Sequence, residues 1–282
     1  MLENNKNHKI RDFIEKVKSE SSYQKFLKRD IIYELIDAFK FEFNKIDYPK
    51  NIENPLEISL QFYKDYSKKY YEIIMDGIKN KRILFNNEDK ERSFVDTERN
   101  IAYIKTYGND SDLFIIVHEF AHYIDRNSKP QIIPDEYWFL SETFALYLEK
   151  KLEMWLNYEK YKDLIMARKN NRLFHESRML ATIEDELFYE TLYKKEGSIK
   201  ESDIDLKKVK LINKYNLTNL VNCLLQYPLA NIVSDYLVNV NFNIDKEDFC
   251  QKCFQIDLYS FLHEWSNNIT EFLRKKITSF KL

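Results

Sequence analysis

The chain has 282 residues, with only three glycines and five prolines against 15% aromatic and 32% charged side chains. So few turn formers exclude an extensive tight-turned sheet and predict a mainly α-helical protein. A formal net charge of −2 and a pI near 6.3 provide no global field to attract nucleic acid or an anionic membrane, so neither is expected as a partner.

The first stretch, "MLENNKNHKIRDFIEKVK", is polar and lacks an apolar core, which predicts no secretory signal and a cytoplasmic protein. No run of about 18 apolar residues occurs, so no membrane-spanning helix is expected. Residues 9–46 read as charged amphipathic helices, with Phe13, Val17 and Phe26, then Ile32, Leu35, Ile36 and Phe39, at helical spacing. "YPKNIENP" at 48–55 is a break. We take residues 1–56 as an N-terminal helical segment and 57–282 as the catalytic region, the two forming one compact domain.

A tyrosine-rich helix is expected at about 57–80, its aromatic stripe serving as core. Two short β-like runs follow, 92–96 and 100–107. Asp110, Ser111 and Asp112 are each able to cap the helix that starts there and runs to about residue 127. After a loop with two prolines, Asp135 is the expected cap of a helix over about 136–157. The remainder reads as helical, with one polar interruption near 196–203.

The three cysteines are Cys223, Cys250 and Cys253. The last two form a lone C-x-x-C, which predicts no structural zinc. Their odd number suits a reducing compartment. His8, His175 and His263 stand alone and are expected at the surface or in the core.

The chemistry concentrates in "LFIIVHEFAHYID", residues 113–125. On a helix His118 and His122 share one face, one turn apart, so both imidazoles can hold a single Zn2+. Glu119 follows the first histidine, and its carboxylate can reach a water on the metal as general base. Burying such groups among Leu113, Phe114, Ile116 and Val117 without partners costs about 1–3 kcal/mol for each. A catalytic zinc has three protein ligands and an open fourth position. Glu142, in "FLSETFALYLEKKL" on the next predicted helix, is the candidate third ligand. Asp125 and Glu149 are candidates for orienting the histidines. Two other readings stay open: a metal-free histidine–carboxylate cluster in a core helix pair, and a zinc site without catalysis.

These segments resemble the gluzincin metallopeptidases, and in wording the oligoendopeptidase F and thimet oligopeptidase family. "FIIVHEFAHYID" looks like that family's zinc helix. "FLSETFALYLEKKL" is similar to its third-ligand helix, with a second glutamate, Glu149, seven residues on. "IEDELFYETLYKKEG" and "QYPLANIVSDYL" resemble later segments of a family whose usual members are longer. The resemblance implies a mainly α, zincin-like fold with a small β-sheet beside the active-site helix. It implies one Zn2+ per chain on His118, His122 and Glu142, with Glu119 as base, and a peptide or protein as substrate. It further implies that the strand at about 101–107 pairs with an extended substrate. The oxyanion-stabilising role falls to Tyr227 or Tyr236, with Ala230 where the family has a tyrosine. The leading expectation is a zinc metallopeptidase. The alternative is a catalytically degenerate metallopeptidase-like helical protein that binds or regulates a partner, and a third reading is a zinc hydrolase of a non-peptide amide.

Overall fold

A computed structural model describes residues 29–38, 44–86, 90–127, 137–196 and 220–239. Among them the chain is mainly helical with one three-stranded sheet, as the glycine-poor composition leads one to expect. They group into two compact units. One holds α1 (Arg29–Ala38) with residues 172–196 and 220–228. There Ile32, Leu35 and Ile36 are buried, as their helical spacing predicts. The other holds residues 45–171 and 229–239, and it carries the sheet and the helix of the histidine motif. No helix among the described residues is long and apolar enough to cross a membrane.

In this second unit, α2 (Pro55–Tyr66) begins where the Asn54 side chain accepts the Glu57 N–H and Pro55 occupies the first turn. The single helix expected over 57–80 is in fact two. Ser67 is extended (φ −155, ψ 115) and its hydroxyl accepts the Tyr70 N–H at 3.4 Å, starting α3 (Lys68–Lys79). Serine competes for backbone partners in this way, so an uninterrupted apolar rhythm does not guarantee an uninterrupted helix. The aromatic stripe is core as expected: Phe62, Tyr63 and Tyr70 are buried, and the Tyr63 hydroxyl donates to the Val117 carbonyl at 2.7 Å.

The sheet has the order β1 (Ile83–Phe85), β3 (Ile101–Ile104), β2 (Phe94–Asp96). β1 runs parallel to β3 with Ile83 opposite Ala102, and β2 runs antiparallel with Val95 opposite Ala102. The two expected strands are present but shorter, and β1 is an addition, because a three-residue apolar run carries no readable alternation. With neighbours on both sides, β3 has no free edge. The expectation that this strand pairs with a substrate backbone is therefore corrected.

Gly108 adopts φ +70 before α4 (Ser111–Asn127), a turn that favours glycine. The acidic residues expected to cap α4 do other work. Asp112 accepts the N–H groups of Tyr107 and Gly108, and Asp110 accepts those of Asn51 and Ile52. The Ser111 N–H is taken by Asn109.

α4 packs against α2, α3, the sheet and most extensively α5 (Tyr137–Trp155). α6 (Tyr158–Glu196) has a kink at Tyr161, and α7 (Leu220–Asn239) contains Pro228. Within this unit the buried Lys150 donates to the Asn231 carbonyl and the Ser234 hydroxyl and pairs with Asp235, fastening the end of α7 to α5. Asp135, His8, His263, Cys250, Cys253 and the expected helices past residue 239 lie outside the described residues. His175, expected at the surface or in the core, is exposed.

Gly77 is buried where α3 meets α4. A Cβ there would stand 2.6 Å from Tyr123 Cε1 and 2.9 Å from Ile83 Cδ1. Overpacking of this kind costs about 1–3 kcal/mol, against the ~1 kcal/mol that alanine gains in helix propensity. Gly77→Ala is expected to lower the thermal midpoint, and an unchanged or higher midpoint would show that Tyr123 has room to yield.

Candidate metal centre

The motif falls inside α4 with the periodicity its sequence implies. Phe114, Ile116, Val117, Phe120, Ala121 and Ile124 are buried, and the rings of Tyr63 and Phe85 lie against Phe120. His118 and His122 stand one turn apart with ring centroids 4.6 Å from each other. α5 runs alongside and presents Ser141, Glu142 and Glu149, all buried; Glu142 and Glu149 are seven residues apart and so share one face of the helix.

Each imidazole is held by its Nδ1. That of His118 lies 2.7 Å from Glu149 Oε1, and that of His122 lies 2.8 Å from the Ser141 hydroxyl. Both Nε2 atoms are left facing one point. They are 3.0 Å apart, and the Glu142 carboxylate closes the triangle at 3.5 Å from His118 Nε2 and 3.4 Å from His122 Nε2. Tetrahedral zinc with bonds of about 2.0–2.1 Å separates its ligand atoms by about 3.3 Å. The three donors fit such an ion with movements of a few tenths of an ångström. His118, His122 and Glu142, the three ligands expected from sequence, are thus brought together.

Glu119, the expected base, is buried beside them, and its Oε2 has no hydrogen-bond partner. Burial pushes its carboxyl above the ordinary value, against the pull of His118 and His122. Burial also opposes charge on Glu142, but His122 and then His118 outweigh it and hold that carboxyl below the usual range. Burial likewise disfavours a proton on His122, yet Glu142 overrides it and raises the imidazole to about 9.

Since that value exceeds the ordinary 6.5, the metal-free site holds a proton at neutral pH which an incoming cation must displace. Metal binding at pH 7 is expected to release close to one proton, and affinity should rise with pH towards about 9. Calorimetry in buffers of differing ionisation enthalpy reads this directly, and uptake without proton release would mean that His122 is already neutral.

Of the two residues expected to orient the histidines, Glu149 does so. Asp125 is buried and its charge acts on His122, but the Nδ1 positions are occupied by Glu149 and Ser141. Ser141 and Arg168 were not singled out from sequence. Ser141 merely precedes Glu142, and Arg168 reaches Glu149 from α6 with no spacing to announce it. Tyr227 is exposed and Tyr236 half-buried, both on α7. Compared with known proteins, the chain matches no family model, no curated protein and no solved structure.

Proposed function

We propose that the chain is a zinc-dependent peptidase of the gluzincin kind, with α4 as its active-site helix and the three-stranded sheet beside it. The observation that carries this reading is the convergence of two Nε2 atoms and the Glu142 carboxylate on one point, with the unpartnered Glu119 oxygen next to it. A cluster built only to satisfy itself has no reason to leave a buried carboxylate oxygen unpaired.

In this reading His118, His122 and Glu142 hold the ion. Bound there, zinc supplies Lewis acidity, acidifying an attacking water and polarising the scissile carbonyl. Glu119 receives the water's proton and returns it to the leaving amine. Its dry surroundings raise the proton affinity of its carboxylate, which suits the first transfer. Glu149 and Ser141 keep the two Nε2 atoms aimed inward. An oxyanion-stabilising tyrosine is assigned to Tyr236 rather than Tyr227, because Tyr236 belongs to the same compact unit as the site.

The test is metal analysis of the purified chain followed by cleavage of a peptide library, with the Glu119→Gln variant as control. One zinc per chain and cleavage absent from the variant are expected. A chain that takes up no zinc, or cleavage that survives in the variant, would overturn the reading.

A further inference from the structure

We infer that Arg168, on α6, is a positioning residue of the metal centre: it pins Glu149 so that His118 presents Nε2 to the ion. The inference rests on the zinc reading above. Glu149 is fully buried, and a lone carboxylate there would turn to find a partner for its oxygens. Arg168 supplies that partner. Its Nε and one terminal nitrogen both donate to Glu149 Oε2, at 2.8 and 2.5 Å, and so hold that one oxygen in place. The other oxygen, Oε1, is thereby aimed at His118 Nδ1, 2.7 Å away.

An ionised carboxylate at that distance accepts a hydrogen bond and cannot donate one. It therefore requires Nδ1 to carry the proton and leaves Nε2 bare for a metal. Arg168 is itself held in place: its guanidinium lies over the Phe114 ring, 5.4 Å from the centroid, and Tyr48 bonds to it. Phe114 belongs to α4, so the helix bearing the histidines also seats the residue that orients them.

Zinc itself is the probe, titrated against a chelating dye, with the thermal midpoint of each metal-free protein measured alongside. Arg168→Gln is expected to weaken zinc binding roughly 10–100-fold, and Arg168→Lys, which keeps the charge but loses the fork, by less. Because Arg168→Gln strands a buried carboxylate and can fail to fold, the double variant Arg168→Gln/Glu149→Gln removes both charges together. A purely structural pair predicts that the double variant recovers stability and zinc affinity alike. A positioning role predicts that stability recovers while affinity stays down. Folded single and double variants that bind zinc within about twofold of the wild type would overturn the inference. A wild-type chain that binds no zinc removes the metal reading, and the inference with it.

Discussion

Glu119→Gln is expected to keep its zinc and its fold while losing peptidase turnover by roughly 10²–10⁴-fold, the usual contribution of a general acid–base group. The substitution preserves shape and removes only charge and basicity. Glu119 is buried with an unpartnered Oε2, so the ionised side chain is unfavourable for folding. Replacing it with a neutral amide relieves that desolvation, and the thermal midpoint of the metal-free variant should be equal to or higher than wild type. Activity and stability then move in opposite directions, which neither a ligand nor a packing residue would produce. Zinc content, the thermal midpoint and kcat/KM on one cleaved peptide provide the check. Loss of zinc would make Glu119 a ligand, and retained turnover would place the base elsewhere.

The helices that build the site were legible because their chemistry is local. α4 shows its apolar rhythm and its two histidines within seventeen residues, and α5 shows Glu142 amid large apolar neighbours. What escaped depends on partners distant in sequence. Ser67 divides a helix that propensity would continue, and β1 exists only because β3 lies beside it. Asp110 and Asp112 look like helix caps, but backbone N–H groups of residues 51–52 and 107–108 claim their oxygens first. Arg168 joins the site across nineteen residues and a change of helix, with nothing in its own segment to mark it. Tyr227 and Tyr236 were indistinguishable by type, whereas the fold leaves Tyr227 exposed and Tyr236 half-buried.

Zinc is expected to stabilise the wild-type chain and to leave Glu142→Ala unaffected. A ligand at 100 times its dissociation constant, bound only by the folded state, adds about 2.7 kcal/mol. That corresponds to a rise of roughly 5 °C in the thermal midpoint for a chain of this size. Losing a direct ligand should reduce affinity by more than the 10–100-fold typical of a residue that only orients one, so the shift should vanish over the same zinc range. A metal-free histidine–carboxylate cluster predicts something different. There Glu142 would serve only to pair with the imidazoles at 3.4–3.5 Å. Its removal would lower the midpoint with or without zinc, and zinc would not move the wild type. Ser141→Ala separates the cases further. It frees His122 Nδ1 without removing a donor from the metal's shell, so zinc binding should weaken but persist. Equal losses in Ser141→Ala and Glu142→Ala would deny Glu142 a direct bond to the ion. In that event the two histidines would need a different third partner, and the fit of the Glu142 carboxylate to their Nε2 atoms would be a consequence of charge pairing alone.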